Sequence, residues 1–347
     1  MNIHAKAALF LAVVALTFAA SAASRSASLA NLTRTPRVAD PIVYDRILTR
    51  LRAGEEYYAV IGGELRAHRY ATREVFNWRT PLLWRSLALV PPAVRRGGLI
   101  VVSLVAAILT TVTAWRVSGL AALATGSAAL GVVLIASAPA TVAMGEAWAG
   151  AFVGISVCAY AAGRRPAAVA AAMLAMFLRE LVAPYVLVCT ALALGHRRWR
   201  EFAAWMAAAA TYGVYYGLHV WRIWSHQLPA DLPGQRSWLA WGGLPFLLST
   251  VEWNGVLLLA PWAAVAAALA LIVAGVVANG TPAHVRVGAG VYLVLFLAVG
   301  QPFDRYWGLL VWPTWALACG YGAAAIVAAT RTVVRAARAP GTSAPAD

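Results

Sequence analysis

Ten apolar runs of helical length follow one another along the chain, and a single long hydrophilic stretch interrupts them. The first runs from Ala7 to Ala23. The others cover about Leu99 to Trp115, Leu120 to Ala138, Ala147 to Ala162, Pro166 to Leu178, Leu181 to Leu194, Phe202 to Val220, Gly255 to Val277, Val287 to Gly300 and Leu309 to Ala328. Continuous runs rich in Ala, Leu, Val and Gly predict helices, whereas a barrel in lipid would show short alternating strands. The expected fold is therefore all-α, a polytopic transmembrane bundle of about ten spans. It divides into a first span or signal-like segment (1–23), an outer loop (24–98), transmembrane helices (99–220), an outer interface segment (221–254), C-terminal transmembrane helices (255–330) and a cytoplasmic tail (331–347).

Two runs are too short to cross a hydrocarbon core of about 30 Å at 1.5 Å per residue. Pro166 to Leu178 and Leu181 to Leu194 form either a shallow hairpin (166–194) with Arg179 and Glu180 at its tip, or one long helix carrying a buried ion pair. The hairpin keeps the basic short loops on one side and is preferred; the long helix would invert everything before it. Within the long loop, Tyr44 to Ala53 and Tyr57 to Arg69 read as amphipathic helices joined at Gly54. FNWRTPLLWR, Phe76 to Arg85, then leads to an apolar segment ending at Pro91 and Pro92. Such helices are expected to lie on the membrane. Trp221, Trp224, Trp238, Trp241 and Trp253 mark a second interface region, where Trp238 to Glu252 reads as a helix on the outer surface. Met1 to Ala23 also fits a cleavable signal peptide; with either reading the next segment lies outside. The tail from Pro340 to Asp347 is small, polar and expected to be disordered.

Composition sharpens this picture. The chain has 347 residues, is 62% hydrophobic and 12% charged, with mean hydropathy +0.71, which excludes a water-soluble globule. The formal charge of +15 comes from basic residues dispersed among the spans, without a nucleic-acid-binding signature. They set orientation instead: alternation from an inside N-terminus puts Lys6, Arg116, Arg164, Arg165, Arg197, Arg198, Arg200, Arg286, Arg331, Arg335 and Arg338 in the cytoplasm. Apart from the long loop, only Arg179, Arg222, Arg236 and Arg305 fall on the other side. Every acid except Glu201 and Asp347 falls outside or at the outer face. An integral protein of a bacterial-type inner or plasma membrane follows, with both termini cytoplasmic and its charged chemistry on the outer face.

Cys158, Cys189 and Cys319 lie inside apolar runs and support neither disulfides nor zinc. The six histidines, with His68 alone and His219 and His226 seven apart, show no ligand spacing, so no metal is predicted, although carboxylates could hold a divalent ion. There is no internal repeat, no GxGxxG pattern and no P-loop. The carboxylates of the outer loop carry more meaning: an Asp held near the bilayer by flanking helices is positioned to act as a base on a substrate arriving from lipid. Arginines can stabilise a leaving phosphate through bidentate hydrogen bonds, and Arg179 and Arg305 suit that need. Arg179 and Glu180 also read as a mutually satisfied pair, Asp304 and Arg305 as a turn pair, and Glu146 as an acid favoured at a helix start.

Several of these pieces form a pattern. Asp40, Tyr44 and Asp45 make D-x-x-x-Y-D; Gly54, Tyr57 and Tyr58 make G-x-x-Y-Y; an aromatic and proline element, with Arg79 inside it, runs from Trp78 to Leu82. Gly145-Glu146 opens an outer-face helix, Arg179-Glu180 lies in LRELVAPY, and FDRYWGLLVWP, with Asp304, Arg305 and Tyr306, comes near the end. In this order and on one face, the chain resembles the polytopic glycosyltransferases of the GT-C class, over most of its length. The acidic pair common in that family just after the first span is absent. The resemblance implies transfer of a hexose, as in the mannosyltransferases, from a polyprenyl-phosphate donor that enters from membrane lipid. The acceptor would be a glycolipid, a glycan or a protein. Inversion by direct displacement is implied, with an acid of the first outer loop as base, Asp40 first and Asp45 second, and no cofactor. A polysaccharide polymerase or ligase is the neighbouring alternative, and a transporter or flippase the one from another class, although its matched broken helices are not evident.

Overall fold

The computed structural model describes residues 3–24, 40–234 and 241–338. Among them are fourteen α-helices and no strand. In chain order they are α1 (Ile3–Ala23), α2 (Asp40–Arg52), α3 (Tyr57–Ala67), α4 (Pro81–Ala88), α5 (Pro92–Trp115), α6 (Gly119–Ala136), α7 (Gly145–Ala161), α8 (Arg165–Leu178), α9 (Ala183–Gly195), α10 (Trp199–His226), α11 (Gly243–Glu252), α12 (Trp262–Val277), α13 (Ala283–Ala298) and α14 (Gly308–Arg338). Among the described residues, four helical stretches are long and apolar enough to cross a membrane: α1, α5, α6 and Phe303–Arg338, which contains α14. Shorter apolar helices cover 165–178, 180–195, 262–277 and 283–298. The architecture fits a helical membrane protein.

Helix α14 is the centre of the bundle. Every residue from Gly308 to Gly322 is buried, as befits a helix that is apolar all round, and α1, α5, α6, α7, α12 and α13 pack against it. Lipid tails are as apolar as leucine, so close packing must hold such helices together, and small residues let backbones approach. At Gly275 a Cβ would stand 2.0 Å from the Ala318 carbonyl oxygen. The same logic applies where α7 meets the start of α14. There a Cβ on Gly150 would fall too close to the Leu309 carbonyl. Trp312, Trp315, Tyr292 and Phe296 fill the core between α13 and α14. Helix α1 leans on α12 and α14, and the Trp262 indole donates to the Ser21 carbonyl at 3.0 Å.

The chain reverses between α8 and α9. Arg179 is extended (φ −155°, ψ 120°) and a single 3-10 turn, Glu180–Val182, leads into α9. Arg165 at the start of α8 and Arg198 just before α10 both reach Glu201, so α8 and α10 begin at the same end and α9 returns between them. At the other end, α2, α3 and α4 form a small layer with its own core of Val43, Tyr44, Ile47, Tyr57, Ile61, Leu65, Trp78 and Trp84, closed below by Ile223 and Ala143. Gly54, with φ +88°, makes the turn between α2 and α3, where a side chain would be strained.

Two helix starts shift from their expected positions and one expected surface helix is buried. Helix α5 begins at Pro92 rather than Leu99, because proline is well suited to the first helical position; Arg95 and Arg96 are thereby brought inside it, donating to the carbonyls of Val90 and Ser137. Helix α12 begins only after Pro261, and the preceding residues are pinned to α6 by Gly255 N–H on the Gly131 carbonyl and Asn254 on the Ala128 carbonyl, both at 2.9 Å. The expected surface helix from Trp238 to Glu252 is overturned over its described residues, 241–252. Its described part, α11, buries Phe246 to Val251 without a break and packs against α12, α13 and α14. The hydroxyls of Ser249 and Thr250 are satisfied by the Phe246 and Leu247 carbonyls of the same helix, so the stretch can be buried, while Trp241 stays exposed. The tail from Pro340 to Asp347 lies outside the described residues.

Candidate functional site

The charged residues meet where α8 stops. Extended backbone at Arg179 points its guanidinium across the start of α7. Its Nε lies 2.6 Å from Glu146 Oε1 and its Nη1 2.5 Å from Glu180 Oε1. The Glu146 contact is a close ion pair without hydrogen-bond alignment. Both partners are nearly sealed: the side chains of Arg179 and Glu146 are 5% and 3% exposed. Two carboxylates facing one guanidinium leave a net negative charge, and Arg79 comes close enough to offset it. Its Nη2 donates to the hydroxyls of Tyr44 at 3.0 Å and Tyr306 at 3.1 Å, which ties the first polar layer to the 3-10 turn that precedes the last helix.

Tyr44, Arg79, Glu146, Arg179 and Glu180, with Thr80, Leu83, Trp84, Ala143, Gly145 and Leu178, line a small pocket of about 10 Å³, room for about one water. Asp304, in the 3-10 turn Pro302–Trp307, is 1% exposed, and its Oδ2 accepts no hydrogen bond. The charges of Arg79 and Arg179 reach it. Chemically the arrangement offers buried carboxylates that can accept a proton beside guanidiniums that can hold an anion. Among the described residues, no group of three His, Cys, Asp or Glu is placed to hold a metal.

The sequence candidates separate here. Tyr44, Arg79, Glu146, Arg179, Glu180, Asp304 and Tyr306 come together, though some are more than two hundred residues apart. Tyr57 and Tyr58 support the site from behind: the Tyr57 hydroxyl donates to the Arg79 carbonyl at 2.5 Å, and Tyr58 bonds His219 Nδ1 at 3.1 Å. Burial pushes the Tyr57 phenol well above its ordinary range and the Tyr58 phenol to about 12, so both stay protonated. Arg305 turns away and lies over the Trp253 ring, 5.8 Å from its centroid. Asp45 is exposed on α2, because the buried stripe of Val43, Tyr44, Ile47 and Leu48 turns it outward. Asp40 opens α2, but its side chain lies outside the described residues.

Sequence reasoning missed the aromatic face of α10. Tyr212, Tyr215, Tyr216 and His219 recur at helical spacing, and that spacing was the available signal. Tyr212 and Tyr215 pack on Phe177 with centroids 5.5 and 4.8 Å away. The Tyr215 hydroxyl accepts from the Leu82 N–H, and His219 Nε2 contacts the Trp78 carbonyl at 3.0 Å. His219 is thus a buried, hydrogen-bonded bracket for the Arg79 segment. Thr80 adds a hydrogen bond to the Phe177 carbonyl at 3.3 Å.

No family model matches the chain, and neither a curated protein nor a solved structure matches it. The fold fits a helical membrane protein, with a buried charged cluster at one end of its bundle.

Proposed function

We propose that the chain is a membrane glycosyltransferase of GT-C type, moving a hexose from a polyprenyl-phosphate donor to an acceptor at the outer face of the membrane. The observation that carries the reading is the convergence of Arg79 and Arg179 with Glu146, Glu180 and Asp304 in and around one buried pocket. Ionisable groups at such depth are costly and mark functional sites by default. In the reaction an acceptor oxygen attacks the anomeric carbon as the bond to the phosphate oxygen breaks. The hydroxyl proton passes to a carboxylate, and the polyprenyl phosphate leaves with added negative charge. Arg79 and Arg179 stabilise that charge best at the transition state. Asp40 and Asp45 are the bases that the resemblance implies; Asp304, buried with an unbonded oxygen, is the acid the pocket offers beside them.

The test is sugar transfer by the purified protein in lipid from a panel of radiolabelled polyprenyl-phosphate sugars. Transfer is expected from one donor and a fall of about 10²–10³ in kcat for Arg179→Gln, the scale of losing one charge-stabilising donor. Comparing Asp40→Asn, Asp45→Asn and Asp304→Asn, each checked for folding, identifies the base. If no donor yields product, the reading fails and the polymerase or transporter reading takes its place.

A further inference from the structure

At the opposite end of the bundle lies a larger pocket of about 350 Å³, lined among others by Tyr160, Arg165, His196, Arg198, Glu201 and His284. Helix α8, with 14 residues, separates the two pockets by about 20 Å at 1.5 Å per residue. Glu201 organises the floor. Its side chain is 5% exposed, accepts from the Tyr160 hydroxyl at 2.8 Å, and lies 3.4 Å from Arg165 Nε and 3.2 Å from Arg198 Nη1. Tyr160 in turn accepts from the Trp205 indole at 2.9 Å and stacks on His284 at 5.6 Å. A single carboxylate faces two guanidiniums, which leaves one positive charge unbalanced.

Three further observations point to an anion. Helices α8, α10 and α13 all begin at this pocket, and none of the three starts has a side-chain cap. Each such start carries about +0.5 elementary charge and unpaired N–H groups; Glu201 offsets that of α10, and the ends of α7 and α9 at Ala161 and Gly195 offset part of the rest, which leaves the guanidiniums as the main positive charge. In the pocket lining, Arg198 Nε and His284 Nε2 are buried without a hydrogen-bond partner, although buried polar atoms are nearly always paired. Arg165 is 54% exposed at the mouth, so its guanidinium is free to turn onto a ligand. Cys189 and Leu192 supply apolar wall.

We infer that this pocket is a second binding site, one that takes a phosphate group between Arg165, Arg198 and His284. The phosphate belongs either to a lipid headgroup or to a small soluble molecule. Guanidinium pairs and helix N-termini both match its geometry and charge. The site is independent of the sugar-transfer reading.

The full chain in phosphatidylcholine nanodiscs provides the test. One arm titrates inorganic phosphate against chloride at constant ionic strength and reads thermal stability; the other adds phosphatidic acid and counts retained lipid by native mass spectrometry. Arg165→Gln and Arg198→Gln are each expected to weaken binding about tenfold, an effect of about 1.4 kcal/mol, while Arg335→Gln, an exposed arginine on α14, leaves it unchanged. Stabilisation by inorganic phosphate assigns a soluble ligand; retention of phosphatidic acid alone assigns a headgroup. The inference is overturned if neither probe binds, or if Arg335→Gln weakens binding as much as Arg165→Gln. Should Arg198→Gln unfold, half-exposed Arg165→Gln still decides.

Discussion

At the scale of single residues, Arg179 is the position on which the charged pocket depends. It is buried against two carboxylates, and removing one partner from a buried pair costs about 3–5 kcal/mol because the other charge is left without compensation. Arg179→Leu is therefore expected to lower thermal stability in detergent steeply, through Glu146 and Glu180. The double variant Glu146→Leu with Arg179→Leu should recover part of that loss, since only one uncompensated acid remains. Equal destabilisation in the single and double variants would show that the pair is not what Arg179 serves. Neighbouring Tyr44 and Asp45 show how fine this scale is. One helical step separates a phenol bonded to Arg79 from a carboxylate facing outward.

At the scale of elements, the layer of α2 to α4 is pinned to the bundle by contacts distant in sequence. Glu56 caps α3 through the Ala59 N–H, while Arg50 ties α2 to α3 through Glu55 and Glu64. The main anchor is Arg66, whose Nε lies 2.6 Å from Asp231 Oδ1 across 165 residues of chain and whose Nη2 also donates to the His226 carbonyl. Thr72 and the Leu228 N–H complete the shell around the Asp231 carboxylate. The Arg66 hydrogen bonds, then those of Leu228 and Thr72, hold Asp231 at about 2 against an ordinary 3.8. A depressed carboxyl stabilises the fold wherever it is ionised. The contribution is complete above about pH 4 and is lost as pH falls through about 2. Protease cleavage between α10 and α11 should therefore rise over that acid range in wild type, and already be high and pH-independent there in Asp231→Asn. A wild-type profile flat down to pH 2 would contradict this anchor.

For the whole molecule, the bundle depends on backbones that touch. Gly275→Ala puts a methyl group against the Ala318 carbonyl, and overpacking of this kind costs about 1–3 kcal/mol. Gly213, on α10 with nothing near its Cβ position, is the control: Ala there is expected to raise stability by about 0.5–1 kcal/mol through helix propensity. Thermal unfolding of the two variants side by side checks the claim. Loss in both would mean that flexibility, and not contact, explains the glycines.

Much of this was legible beforehand because helical periodicity and apolar length are local properties. Ten apolar runs became ten helices, and Gly54 separated the two amphipathic helices of the first loop. Glu146, Arg179, Glu180 and Asp304 could be nominated because charges among apolar runs stand out. The sequence by itself thus determined an all-helical membrane-type chain and the candidate acids and arginines near one end. Only tertiary structure decided that α11 is buried, that Arg305 leaves the cluster for Trp253, and that Arg79 joins Tyr44 to Tyr306. The same holds for the opposite pocket, where three helix starts and residues from α7, α8, α10 and α13 meet. Such meetings depend on how helices pack across hundreds of residues, and packing is set by the fit of small and large side chains in three dimensions, which no periodicity along one strand of chain encodes.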